Sequence, residues 1–391
     1  MSVEASSSEW LRVKLPEKIT TATASALLAK RTPAERDAPL DLDLTNVAVV
    51  DITGLMIVLS ALNERSSAGL ETRISLPRHP EAINLLLDSE FPSAAAMVTR
   101  PQLGTLHWTD GALPLRDQVR LLLRPPPSRP SSTAYERLRD ERFFGFLTYS
   151  FQAEPQVASI ITTEWSRWRG PLILSFLDTA LTHHGAEIAR VVIYELLTNA
   201  VLHPEGDLLT VGSWVDSTGG DRAKELVISV WDNGKSMIGT LRNGLSENRP
   251  IRVAEAAVDD TFVVDASAWQ PRWPTYTARW TPGRDAADEE LLLASVFPGI
   301  SHRQAKAPPN PVLRGREFPQ GYGLHALYRC AADLFGGSLE IRTGNQQLNL
   351  VSTRRHRHRG VRRYRAHVAR VPGQPFHGNL LTVRIPLRHA R

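Results

Sequence analysis

Only one cysteine, Cys330, occurs in a chain of 391 residues. An internal disulfide framework and a cysteine-rich zinc site are therefore excluded, and a reducing compartment, most simply a cytosol, is expected. No stretch reaches the ~20 uninterrupted apolar residues of a membrane helix, and the N-terminal residues lack the apolar core of a signal peptide. An excess of one charge is also missing: the net charge is only +5. That balance permits contact with nucleic acid or acidic surfaces without favouring it. Hydrophobic residues at 42% and charged residues at 22% exclude global disorder, which requires low hydrophobicity and high net charge.

The chain is longer than the ~250–300 residues at which single cores stop growing, so more than one domain is expected. Up to about residue 110, short apolar runs alternate with helical stretches. Leu11–Leu15, Leu40–Leu44 and Thr72–Leu76 alternate like strands, while Val47–Val50 has the fully apolar character of a central buried strand. Thr20–Lys30, Leu55–Arg65 and Pro80–Asp88 have helical spacing. Alternating strands and helices predict an α/β domain over 1–110. Residues 111–150 then read as a linker followed by a helix: Arg124–Ser132 is proline-rich, a spacer composition, and Ala134–Tyr149 looks helical.

From residue 151 onward a second α/β domain is expected, extending to residue 391. Ala186–Leu202 is an amphipathic helix ended by Pro204. Leu208–Val215 and Glu225–Trp231 read as paired strands, and four more strands close the chain, beginning near Gly337, Leu348, Tyr364 and Leu380. Between them, roughly 242–318 is long, proline-punctuated and rich in tryptophan. A connection of that length is a lid, an inserted element or a mobile segment. Part of it should pack, because tryptophan is costly to expose.

Three segments carry chemistry. Glu195, Asn199 and His203 recur every four residues and share one helical face, offering a proton acceptor, an amide oxygen for a hard cation and an imidazole. The strand 226–231 runs into Asp232-Asn233-Gly234, which sets a carboxylate at a strand end beside flexible backbone. Gly321-Tyr322-Gly323-Leu324 opens a helix, where backbone N–H groups point outward.

In that order, these segments resemble the N box and the two glycine boxes of the GHKL (Bergerat-fold) ATPases. Phe335–Ile341 and Phe376–Pro386 resemble the family's glycine turn and final strand, and Val296–Ser301 the stretch that opens its ATP lid. The resemblance covers about 151–387 and implies a two-layer α/β sandwich on a mixed, mostly antiparallel sheet. It also implies ATP and Mg²⁺ as ligands. Asn199 would ligate the metal, Glu195 would be the general base, and Asp232 would accept from the adenine amino group. Gly234 would admit the base, and Gly321, Gly323 and Leu324 would line the phosphates. The sequence departs from the family pattern twice: Ser236 stands where a further glycine is usual, and Asn379 stands where the final strand usually has threonine. Asn379 retains the capacity to bond toward Asp232 or a bound water.

The segment Leu11–Leu87 resembles a STAS domain, the fold of anti-sigma-factor antagonists. Asp51-Ile52-Thr53-Gly54-Leu55 matches the turn whose hydroxyl accepts phosphate in those proteins. Thr53 is thus either a phosphoacceptor or simply a helix N-cap. His183-His184 lacks the flanking residues of a histidine-kinase acceptor. The basic run Arg354–Arg363 is either a polyanion contact or a solvated hairpin tip. Altogether the resemblance implies a cytoplasmic regulator closest to the anti-sigma-factor serine kinases, with slow kinase or ATPase activity that switches protein–protein contacts, a homodimer being one form. The alternative is a nucleotide-driven conformational switch without kinase activity.

Overall fold

The computed structural model describes residues 3–5, 10–29, 37–99, 106–109, 143–150, 192–193, 195–196, 199, 206–216, 224–252, 262–266, 275–300, 323–352, 362–371 and 375–387. The chain forms two compact units. One comprises Met1–Ser150, Leu208–Trp214 and Pro372–His377; the other comprises Phe151–Asp207, Val215–Val371 and Gly378–Arg391. Both mix helices and strands, as an α/β class requires. Among the described residues no helix is long and apolar enough to cross a membrane.

The first unit contains β1 (Val3–Ala5), β2 (Leu11–Lys14), β3 (Lys18–Ile19), β4 (Leu40–Asp43), β5 (Val49–Val50), β6 (Thr72–Ser75) and β7 (Leu106–Thr109). Its main sheet runs β1-β2-β4-β6-β7, parallel from β2 to β7 with β1 antiparallel at one edge. Register aligns Val13, Leu42, Ile74 and Trp108 in one row, of which Val13, Leu42 and Ile74 are buried. The neighbouring row, on the opposite face by the period of two, is Arg12, Asp41, Arg73 and His107. On that face Arg12 reaches Asp43 at 2.8 Å. Burial pushes the Asp43 carboxyl up, but bonds from Thr45 and from Arg12 outweigh it and hold the group below its ordinary range. Val47–Val50 does not form the central strand expected of it. Only Val49–Val50 is extended, paired with β3 in a separate two-stranded sheet, and Val49 is exposed. The centre goes instead to Leu40–Asp43, whose leucines alternate into the core.

Helices α1 (Thr21–Ala29), α2 (Ile52–Ser67), α3 (Pro80–Asp88) and α4 (Phe91–Val98) complete this layer. α2 starts three residues earlier than its periodicity indicated. Asp51, not Thr53, is its N-cap: the carboxylate accepts from the Thr53 amide at 2.7 Å, satisfying one of the unpaired first-turn donors. Residues Ile52 to Ser60 are all buried, so α2 is a core helix rather than an amphipathic surface one. Part of its cover is β8 (Phe143–Ser150) and β9 (Leu208–Asp216). A Cβ at Gly212 of β9 would lie 3.0 Å from the Met56 Cε and 2.9 Å from the Phe146 ring. Phe146 also packs on Phe91 at 6.3 Å between ring centroids, and its amide donates to the Ser89 carbonyl at 2.7 Å. The helix expected over 134–149 is therefore corrected over Phe143–Ser150. Its aromatics favour a pleated, half-buried surface. The proline-rich 124–132 lies outside the described residues.

The remaining strands are β10 (Glu225–Asp232), β11 (Phe262–Asp265), β12 (Thr275–Thr277), β13 (Ser338–Gly344), β14 (Gln346–Ser352), β15 (Arg362–Arg370) and β16 (Phe376–Pro386). Within the second unit the strand order is β12-β11-β15-β14-β13-β16-β10, mostly antiparallel, with β11 parallel to β15; in the first unit β8 pairs antiparallel with β9. Alternation buries Leu339, Ile341, Leu348, Leu350, Tyr364, Ala366 and Val368 completely. The segment expected to be irregular over 242–318 supplies β11, β12, the second half of α5 (Met237–Ser246) and all of α6 (Asp288–Ala294). It is an inserted, packed element where described. Trp280 packs against Tyr276 with tilted rings, 4.2 Å between centroids; Trp269 and Trp273 lie outside the described residues. α7 (Gly323–Arg329) continues as a π-helical turn, Cys330–Leu334.

Close packing of α2 makes one glycine critical. A Cβ at Gly54 would sit 2.9 Å from the Thr20 carbonyl carbon, whereas one at Gly283 would meet nothing within 4 Å. Gly54→Ala should cost ~1–3 kcal/mol through overpacking, and Gly283→Ala should stay within ~0.5 kcal/mol. Denaturant midpoints compare the two directly.

Candidate functional site

Val192, Ile193, Glu195, Leu196 and Asn199 are helical. Val192, Ile193 and Leu196 are buried, which turns the Glu195–Asn199 face toward α7. Asn199 Nδ2 donates to the Glu195 carbonyl, four residues back, at 2.8 Å. The Glu195 side chain is buried, 4% exposed. At the start of α7, a Cβ on Gly323 would lie 2.9 Å from Asn199 Oδ1, 2.9 Å from Glu195 Oε2 and 3.0 Å from Asn199 Nδ2. Any side chain there would push into both polar groups. Glycine lets the backbone approach them, so the helix of Glu195 and Asn199 and the start of α7 come together. Leu324 follows, half-buried. Gly321 and His203 lie outside the described residues.

The second half of the site is built on paired strands. β10 and β16 are antiparallel, with Asp232 opposite Asn379. Asn379 Nδ2 donates to the two Asp232 oxygens at 3.0 and 3.3 Å and to the Lys235 carbonyl at 3.0 Å. Its Oδ1 accepts from the Met237 amide at 2.9 Å and from Thr343 Oγ1 at 2.8 Å. The Gly234 amide donates to Asp232 Oδ1 at 3.0 Å. Gly378, at φ +85°, brings its backbone so close that a Cβ would fall 1.7 Å from the Asp232 carbonyl oxygen. Asp232 is only 3% exposed. Burial pushes its carboxyl up to about 7 even though the Gly234 and Asn379 donors pull the other way. The donors in place do not fully compensate the buried charge, so one more N–H group would be favourable there.

No protein family, curated protein or solved structure matches this chain.

Both departures from the GHKL pattern have physical explanations. Ser236 is the N-cap of α5, and its hydroxyl accepts from the Gly239 amide at 3.0 Å. A glycine there would forgo that bond. Asn379 spends both ends of its amide, gripping the carboxylate with one and orienting the start of α5 with the other. Of the two partners open to Asn379, Asp232 is the one it bonds; Ser236 was not expected as a cap, although serine before an apolar helical run is a recognised start signal. Gly206 and Asp207 were not expected either. The Asp207 amide donates to Asn233 Oδ1 at 3.0 Å, and Asn233 Nδ2 donates back to Asp207 Oδ1 at 2.8 Å. A Cβ at Gly206 would lie 2.6 Å from the Gly234 amide nitrogen. No periodicity signals such a contact; only the Gly-Asp turn chemistry hints at it.

Thr53 is placed in the first turn of α2 with 0% exposure. The apolar Val296–Ile300 stretch is buried as well, and His325 Nδ1 donates to the Val296 carbonyl at 3.3 Å.

The raised Asp232 carboxyl has a consequence for stability. Unfolded, the group ionises near 3.8; folded, near 7. Between those values the native state holds a proton that the unfolded chain has released, so stability falls as pH rises through this window. Below the window the contribution is complete, and above it the loss levels off. Asp232→Asn should flatten this part of the stability profile relative to the parent protein, measured by denaturant unfolding across pH. An unchanged slope would mean that Asp232 is ionised throughout.

Proposed function

We propose that the second unit binds Mg-ATP and acts as a slow protein-serine/threonine kinase or ATPase that switches protein–protein contacts. The observation that carries this reading is the convergence at Gly323. Two segments far apart in sequence, each resembling a GHKL box, come together at a glycine where a Cβ would crowd the Glu195 and Asn199 side chains.

The residues fit the ligands. Asp232 offers a buried carboxylate with unfilled acceptor capacity for an adenine amino group, and Gly234 leaves room beside it. Asn199 spends its Nδ2 on the Glu195 carbonyl, which leaves Oδ1 available as an oxygen ligand for Mg²⁺. The metal would neutralise charge on the phosphates. Glu195, buried beside Asn199, would accept a proton from water or from an acceptor hydroxyl. Gly321, Gly323 and Leu324 belong to the phosphate side, and Asn379 supports the base through Asp232.

The first unit, with its STAS-like pattern, serves in this reading as a docking module rather than a substrate. Thr53 supports that choice, since its hydroxyl is fully buried and attack on a phosphoryl group requires approach to ~3–3.5 Å. The partner is a protein, a second copy of the chain included, in a cytoplasmic setting; nucleic acid is not favoured. Were ATP used only to drive closure or dimerisation, the same site would be a conformational switch without transfer.

Calorimetry and turnover assays separate the roles. Asp232→Asn should abolish Mg-ATP binding, because an amide cannot serve as a pure acceptor. Glu195→Ala should keep affinity within a few-fold while lowering turnover by ~10²-fold or more, and Asn199→Ala should weaken Mg-ATP binding. Unaltered nucleotide affinity in Asp232→Asn would refute the site. With labelled ATP, label is expected on a partner or as free phosphate and not on Thr53; a phosphate mapped to Thr53 and lost in Thr53→Val would reverse the docking assignment.

A further inference from the structure

We propose that His325 is a positioning residue that holds the Gly323 backbone against Glu195 and Asn199, by tying the first turn of α7 to the buried Val296–Ile300 segment. The inference rests on the Mg-ATP reading of that contact. α7 is only seven residues long before its hydrogen bonding turns π-helical, and so short a helix has little stability of its own. Its position has to be imposed by tertiary contacts.

His325 lies two residues beyond Gly323 and is 3% exposed. A carbonyl can only accept, so the bond to Val296 fixes the proton on Nδ1. The ring also meets Phe262 of β11 edge-on, with centroids 4.6 Å apart. The segment it bonds to is itself rigidly held. Val296 and Phe297 have no exposed surface, and Phe297 packs on Phe262 at 5.1 Å and on Trp280 at 5.2 Å. Arg252 then fastens the neighbouring residue. Its guanidinium donates to the carbonyls of Pro298 at 2.8 Å, Ala278 at 3.0 Å and Trp280 at 2.6 Å. The inserted strands thus form a fixed wall, and His325 is the polar tie from that wall to α7. Displacement of reacting groups by about 1 Å can cost ~10²-fold in rate, so a tie at this point has functional weight.

The test compares His325→Asn, whose Nδ2 reproduces the Nδ1 donor, with His325→Leu, which fills similar space without one. Mg-ATP and adenosine affinities are measured for each by calorimetry, alongside amide hydrogen exchange across 323–329 without ligand. His325→Leu should lose ~10-fold in Mg-ATP affinity, the scale of one hydrogen bond, while adenosine, which lacks phosphates, binds as before. Exchange over 323–329 should quicken, and His325→Asn should restore both. Equal losses for ATP and adenosine would show a merely structural role and overturn the proposal, as would unchanged exchange and affinity in His325→Leu. If His325→Leu does not fold, His325→Gln replaces it, since its longer side chain places the donor where Nε2 stood. A parent protein that binds no Mg-ATP would instead refute the nucleotide reading itself, which separates the two failures.

Discussion

The pairing of Asp232 with Asn379 is the interaction on which the candidate site depends. A carboxylate buried at the end of β10 is costly unless hydrogen-bonded, and its principal partner comes from the opposing position on β16. Gly378 is required because the two backbones approach so closely there. The same asparagine accepts from the Met237 amide and from Thr343, so the pair also fixes where α5 begins and joins β10, β13 and β16 around one group. The charge nevertheless remains incompletely compensated, since burial lifts the carboxyl to about 7. Perturbed groups of this kind gather at functional sites. A ligand that brings one more N–H donor would complete the arrangement.

Around that pair, glycines do the positioning. Gly206 lets the turn after the Glu195 helix press on Gly234, and Gly323 lets α7 touch Glu195 and Asn199. Each is a place where a methyl group would enter occupied space. The inserted segment between α5 and α7 does not interrupt this arrangement. It extends the sheet by β11 and β12 and packs its aromatics behind α7, giving the short helix a wall to lean on.

Much of this was legible in the sequence because it depends on local pattern. The alternation of Leu40–Asp43, the run 226–231 ending in Asp232-Asn233-Gly234, and the four-residue spacing of Glu195 and Asn199 each report a period or a turn. What escaped is tertiary. Val47–Val50 looked like a central strand because apolar runs carry no information about which neighbour they find, and the neighbour was the short β3. Residues 143–149 fall within the stretch expected to be helical, although Phe146 belongs to a strand and packs on Phe91. Thr53 was considered as a cap where Asp51 has that role, a distinction set by one residue of helix start. His325 and Arg252 could not have been singled out, because their partners, mostly backbone carbonyls, lie in segments distant along the chain.

The central claim is that Asp232 is a buried carboxyl waiting for a donor. Carbon-13 labelling of aspartate side chains allows its charge state to be read directly by NMR near pH ~6, below its folded-state value and above its ordinary one. The account predicts that the Asp232 carboxyl carbon has the shift of a protonated acid in the free protein and moves to that of a carboxylate when Mg-ATP is added. A shift that stays where it was, with nucleotide bound, would contradict it.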